Sequence, residues 1–175
     1  METIRILLEG RPGSGKTTAA RRLVELLRAG GVPTTGFTTE EIREGTRRVG
    51  FRVEAIGGPG ATLAHVTFPG PPRVGKYGVD LDAFERIALP PLERSEAGGV
   101  VIIDELGKME LASDRFREAV NALFDKGPAV VATVHTFRHP VTDALKARPD
   151  VEVLRISRTN REALPDALAR RLGSE

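Results

Sequence analysis

The apolar residues of this chain follow two rhythms. Two short runs are essentially unbroken, residues 99–104 with Val100, Val101, Ile102 and Ile103 in succession and PAVVATV (128–134), and two more are mostly apolar, IRILLEG (4–10) and VEVLRI (151–156). Unbroken runs of this length predict strands buried on both faces, as in a parallel sheet covered by helices on either side. Between the runs the period lengthens. Leu23, Leu26 and Leu27 share one face of a helix that starts at Lys16 and stops at Gly30–Gly31. Phe116, Val120, Leu123 and Phe124 line a second helix, which Ser113 can cap. Leu164, Leu168 and Leu172 repeat at helical spacing near the end, and Thr159 with Glu162 has the spacing of a capping box.

A different texture interrupts this alternation early. VPTTGFTTEEIREGTRRVGFRVEAIGG (32–58) is rich in Thr and Val, with a polar turn at 43–48, and predicts a β-hairpin that ATLAHVTF (61–68) extends. The Gly- and Pro-rich segment PGPPRVGKYGV (69–79) reads as loop. A helix is expected from Asp80 or Asp82, broken or kinked at Pro90–Pro91. The order is then β-α, hairpin, α, β-α-β-α-β-α. It predicts an α/β fold with three layers, a mainly parallel central sheet and a hairpin insertion, in a single domain over residues 1–175.

Composition narrows the setting. The chain has 175 residues, 40% hydrophobic and 29% charged, enough for one domain with a full core. With 26 basic against 24 acidic side chains the net charge is +2, too small to imply a polyanionic partner. No basic stripe with interleaved aromatics appears, so direct nucleic-acid binding is unsupported. There is no cysteine, which excludes disulfides and thiolate metal sites. No apolar run approaches the roughly 20 residues of a membrane span, and a strand beginning by Ile4 leaves no room for a signal peptide. A cytoplasmic protein is expected, with a monomer as the default state.

The chemistry begins where the first strand ends. GRPGSGKT, from Gly10 through Arg11, Pro12, Gly13, Ser14, Gly15 and Lys16 to Thr17, fits G-x-x-x-x-G-K-[ST] at every position, between a strand and a helix. Glycines let successive backbone N–H groups converge on phosphate oxygens, and the helix start adds its positive dipole end. Lys16 is expected on the β- and γ-phosphates and the Thr17 hydroxyl on Mg²⁺, with Thr18 reaching the α-phosphate by analogy.

A phosphate site with Mg²⁺ needs a carboxylate from the end of a neighbouring parallel strand. Asp104 ends the run 99–104 and is assigned to the metal, through water, since Mg²⁺ keeps several waters. Glu105 follows directly. It either orients and polarises the water that attacks the γ-phosphate or serves as a cap, and the first role separates hydrolysis from transfer to a bound acceptor. Glu110 is expected to be structural, salt-bridged locally, with contact to the metal's surroundings as the alternative.

Taken together, GRPGSGKT, GFTTEEIREGTRRVGF, RVGKYGV, DELGKMEL and NREALP stand in an order that resembles the THEP-type nucleoside-triphosphatases, the family that includes the human cancer-related nucleoside-triphosphatase. The resemblance runs from about Ile4 to Leu172, with Leu106 where Ile is expected. It implies a P-loop fold similar to RecA-type ATPase cores. It also implies slow Mg²⁺-dependent hydrolysis of nucleoside triphosphates (ATP, GTP, CTP, UTP) with broad base tolerance. Gly10–Thr18 would then hold the triphosphate, Asp104 the metal, and Glu105 would activate water.

The residues agree on base tolerance. There is no N-K-x-D stretch for guanine, and one Tyr and no Trp leave little to stack a base, so the guanidinium of Arg161 is the candidate. Lys76, or less favourably Arg73, is the candidate cation for the γ-phosphate, on a loop that Gly75 and Gly78 would let close. Arg47 and Arg48 read as solvated. His135 and His139 follow a strand edge, where they are either polar loop residues or sense the γ-phosphate. Two other functions share the cradle: a nucleotide or small-molecule kinase, and a nucleotide-switched binding module.

Overall fold

The computed structural model describes residues 2–173. Its centre is a sheet of nine strands in the order β5-β6-β4-β3-β2-β7-β8-β1-β9. The parallel part is β2 (Thr34–Glu44), β7 (Val100–Ile103), β8 (Ala129–Val134), β1 (Arg5–Glu9) and β9 (Glu152–Arg155). The unbroken apolar runs supply its centre because both faces are covered. Ile6, Leu8, Val100 and Ile102 pack toward α1 (Lys16–Ala29) and α5 (Leu164–Leu172), while Leu7, Val101 and Ile103 pack toward α2 (Leu81–Glu93) and α3 (Asp114–Lys126). Phe37, Phe84 and Phe116 meet edge to face at 5.1–5.7 Å beneath the second face. Such pairs contribute about 0.5–1.5 kcal/mol each beyond their burial. A shorter helix, α4 (Pro140–Lys146), follows β8.

The hairpin is an extension of the same sheet. β2 runs past the parallel region and turns at 45–46 into β3 (Arg47–Ala55), which pairs with β4 (Gly60–His65). The segment 69–79, expected as loop, instead forms a second small hairpin, β5 (Arg73–Val74) and β6 (Tyr77–Val79). Pairing of β6 with β4 and the burial of Tyr77 and Val79 overcome its Gly-Pro composition. Pro90 and Pro91 do not break α2, which continues to Glu93. They lie in its last turns, where buried Leu89, Pro91 and Leu92 hold the helix by packing and the Arg94 N–H still donates to the Pro90 carbonyl at 3.1 Å. The capping box does not form, because α5 starts only at Leu164. Pro165 is tolerated in a first helical turn and not in an interior, so it fixes the start there. The Asp80 and Ser113 caps are as expected, accepting from the Ala83 and Phe116 N–H groups.

The strand bearing the acids is not the direct neighbour of the strand bearing the cradle. β8 lies between β7 and β1, so its last residues enter the site from the middle.

Candidate active site

A cleft of about 870 Å³ opens at the carboxyl ends of the parallel strands, between the β1–α1 loop and the two hairpins. Pro12, Gly13, Gly15, Lys16, Thr17 and Thr18 line it from the loop side. The start of α1 has no side-chain cap and no acidic residue in its first turn, so its N–H groups are left for an anionic ligand. Lys16 is buried, donates to the Gly10 carbonyl at 2.7 Å and stands 3.6 Å from Glu105 Oε2. Gly10, Arg11 and Ser14 shape the loop from outside the lining. The Gly10 N–H donates to Val134, the Ser14 N–H to Arg11, and Arg11 itself is exposed.

Asp104 is 1% exposed and accepts three hydrogen bonds. Its Oδ1 accepts from the Thr17 hydroxyl at 3.2 Å and the Thr133 hydroxyl at 2.8 Å, and its Oδ2 from the Thr39 N–H at 3.4 Å. Burial pushes its carboxyl up to about 6; the Thr133 hydrogen bond opposes the rise and Glu105 beside it adds to it. The donor set fits Mg²⁺: two hard oxygens, the Thr17 hydroxyl and the Asp104 carboxylate, stand together beside a phosphate cradle. Among the described residues no cluster of three acid, His or Cys side chains could cage a metal alone. That suits an ion which keeps waters and phosphate oxygens as ligands.

Glu105 and Glu110 face each other over Gly107. A Cβ on Gly107 would meet Glu110 Oε2 at 2.8 Å and Glu105 Oε1 at 3.0 Å, so the glycine is what lets both carboxyls approach. Glu110 is buried, and burial together with the charge of Glu105 raises its carboxyl well above the usual range. The local salt bridge expected for Glu110 does not form, since no cation among the described residues lies within ion-pair distance of it. It is a wall of the cleft, packed against the acid that faces the cradle.

Arg161 also lines the cleft, its side chain crossing Gly15, where a Cβ would meet Arg161 Cδ at 3.0 Å. Asn160 fixes the turn beneath it, accepting from the Ser157 N–H and donating to the Arg155 carbonyl, both at 2.8 Å. The cations on the hairpin side are placed differently from expectation. Arg73 donates to the carbonyls of Phe68, Pro69 and Lys76 and is spent on the turn. Lys76 sits at the tip between lining residues Gly75 and Tyr77, with its ammonium 5.5 Å over the Tyr77 ring, and is not itself brought into the cleft. Arg48, read as solvated, does line it. Burial of the hairpin's far strand brings Arg48 against Tyr77, whose hydroxyl accepts from Nε at 3.0 Å, while Glu41 pairs with Nη1 at 3.1 Å. Arg47 is exposed.

His135 lies in the loop just past β8, as expected, but is buried there, 4% exposed, and lines the cleft. His139 caps α4, its Nδ1 accepting from the Val141 N–H at 3.1 Å. Sequence reasoning missed Thr39, Thr133, Arg48, Tyr77 and Phe137. Thr133 alone carried a usable signal, as the polar residue near the end of a buried strand.

A P-loop cradle, a buried acid beside its threonine and a second acid facing its lysine, set at the carboxyl ends of parallel strands, define a nucleotide-binding α/β enzyme. The family model described as "NTPase" matches residues 5–169. The chain is 42% identical over 162 residues to nucleoside-triphosphatase THEP1 of Thermotoga maritima, covering 92% of this chain and 91% of that one. It is 39% identical over 176 residues to the human cancer-related nucleoside-triphosphatase, covering 92% and 93%. The crystal structure of THEP1 from the hyperthermophile Aquifex aeolicus superposes with a TM-score of 0.84 at 34% identity, covering 94% of this chain and 96% of that one. The solution structure of the human protein gives 0.83 at 37% identity, covering 98% and 99%. The chain belongs to the NTPase family, and its enzyme class is nucleoside-triphosphatase.

Proposed function

We propose that this protein hydrolyses nucleoside 5′-triphosphates, ATP, GTP, CTP and UTP alike, to the diphosphate and phosphate, slowly and with Mg²⁺. The whole chain acts as one catalytic domain, a cytoplasmic monomer. Among the described residues no helix is long and apolar enough to cross a membrane. The observation that carries the reading is Glu105: a partly exposed carboxylate 3.6 Å from the cradle lysine, directly after the buried Asp104–Thr17 pair. Such a position suits a group that orients water against a γ-phosphate.

In this reading the N–H groups of Gly13–Thr17 hold the phosphates, Lys16 spans the β- and γ-phosphates, and Thr17 with Asp104 holds the metal. Bound there, Mg²⁺ supplies positive charge to the phosphate oxygens. Lys16 leaves Glu105 for the phosphates as the triphosphate enters, freeing the carboxylate to accept a proton from water. The Arg161 side chain crosses Gly15 at the cleft, and its guanidinium could stack on any base, which supports broad tolerance. Lys76 contributes a second cation on the γ-phosphate side only when the β5–β6 turn folds inward. Slow turnover rests on the family resemblance.

Steady-state phosphate release over the four triphosphates, wild type against Glu105→Ala, tests the assignment. A variant that binds nucleotide and does not turn over supports it; unchanged turnover refutes it. A rate that rises only with an added hydroxyl acceptor would instead establish a kinase.

A further inference from the structure

His135 is held with a precision that the cradle and its acids do not explain. It follows β8, whose Val134 carbonyl accepts from the Gly10 N–H at 3.1 Å, so the imidazole stands beside the mouth of the cradle loop. It lines the same cleft as Lys16 and Glu105. Three contacts fix it. Nδ1 lies 3.1 Å from the Phe137 carbonyl oxygen, the Phe137 ring stacks parallel on the imidazole, and the His135 carbonyl accepts from Lys146 Nζ at 3.1 Å. Lys146 is anchored in turn by Glu9 at 2.6 Å.

A carbonyl only accepts, so Nδ1 carries the ring proton and Nε2 presents a lone pair. Burial, with the Lys146 and Lys16 ammonium groups nearby, lowers the imidazole pKa to about 4, so the ring stays neutral at physiological pH. Nε2 is buried and has no hydrogen-bond partner among the described residues. An unpaired buried acceptor is costly and rare unless something from outside the chain completes it.

The missing partner must bring a hydrogen. Phosphate oxygens of a triphosphate at neutral pH are acceptors, and an acceptor facing Nε2 is repelled, so this nitrogen is not built to sense a γ-phosphate. Of the donors that hydrolysis brings, the attacking water is the one that must lie beside Glu105, in the same cleft that His135 lines. We propose that His135 Nε2 accepts a hydrogen bond from the hydrolytic water, holding it between this nitrogen and the Glu105 carboxylate. The inference rests on the hydrolytic reading of Glu105. In the step, the water oxygen bonds to the γ-phosphorus as the bond to the β–γ bridging oxygen breaks, and that electron pair leaves with the diphosphate. The proton facing Glu105 passes to the carboxylate. The proton facing His135 stays with the new phosphate, and His135 orients the water without taking charge.

The test pairs His135→Phe, which keeps a flat ring for Phe137 and removes the acceptor, with His135→Gln, which restores one. The expected result is that His135→Phe lowers kcat about 10- to 100-fold while KM is unchanged. The ratio of affinities for a non-hydrolysable triphosphate and the diphosphate should also stay the same, and His135→Gln should recover part of the rate. A fall in that affinity ratio would mean a γ-phosphate contact and overturn the proposal. So would an unchanged kcat, or a His135→Gln variant no faster than His135→Phe. Glu105→Gln run in parallel separates the two readings. Full turnover there with loss in His135→Phe faults Glu105 alone, and the reverse faults His135 alone.

Discussion

The two walls of the cleft are made from opposite materials. The cradle wall, from β1, β7 and β8, consists of buried polar groups held by short-range hydrogen bonds: Lys16 on the Gly10 carbonyl, Asp104 under two threonine hydroxyls and the Thr39 N–H, His135 on the Phe137 carbonyl. The hairpin wall, from β2, β3, β5 and β6, carries charges paired with one another nearer the solvent: Arg48 with Glu41 and Tyr77, Arg43 with Glu41. Groups locked in low dielectric hold their positions and act strongly on charge that develops beside them. Exposed pairs are screened, exchange partners at little cost and move with their hairpin. The cradle wall is where rate should be concentrated, and the hairpin wall where fit and adaptability should be.

The largest effect should come from Lys16. Lys16→Ala removes the cation of the cradle and should lower kcat/KM by roughly 10³-fold, in line with the loss of a preorganised donor to phosphate charge. Next comes Gly107→Ala. The added methyl meets two carboxyl oxygens at once, so either Glu105 or Glu110 must swing away. kcat should fall on the order of tenfold or more, with the melting temperature little changed, because the strain is relieved inside an open cleft. If kcat held while stability dropped, the two acids would be structural partners and the contrast between the walls would lose its main support.

Much of the cradle wall could be read in the sequence, and little of the hairpin wall. GRPGSGKT, Asp104 and Glu105 are contiguous with the strands that position them, so local pattern and chemistry coincide. The unbroken apolar runs gave the parallel strands for the same reason: burial on both faces leaves one signature. Arg48 and Tyr77 are 29 residues apart and meet only because β6 pairs with β4, which pairs with β3. No local period encodes that register. The β5–β6 hairpin was hidden by its Gly and Pro content, and Pro165 moved the start of the last helix away from a plausible box. The burial of His135 in its loop was hidden because it depends on the stack of Phe137 and on neighbouring strands.

Smaller effects belong to the hairpin wall. Arg48→Ala should cost about 1 kcal/mol of stability, from a cation over Phe51 at 5.2 Å and a half-exposed pair with Glu41, and should change kcat/KM by less than about tenfold. Lys76→Ala should do less still in single-turnover hydrolysis, because its ammonium rests on Tyr77 at the rim. A loss above about tenfold for Lys76→Ala would mean that the β5–β6 turn closes during turnover, and the two walls would then share the chemistry.

The smallest expected effect concerns pH and separates the walls without substrate. Acidification acts on the cradle wall in two directions. Asp104, raised to about 6, and Glu110, also raised, bind protons more readily folded than unfolded, so their contribution to stability improves as pH falls toward their folded values. His135 does the reverse. Its folded pKa of about 4 lies below the ordinary 6.5, so the unfolded chain takes up the proton first and stability is lost as pH falls through that window. A phenylalanine at 135 removes only the second of these. Thermal or urea melts at pH 7.5 and pH 6 should therefore show wild type losing somewhat under ~1 kcal/mol relative to His135→Phe on acidification, with the gap widening toward pH 5. Arg48→Ala, on the screened wall, should track wild type across the same range. A gap that stayed flat with pH would mean that the imidazole is charged or solvated in the fold, and the neutral tautomer on which its lone pair depends would be wrong.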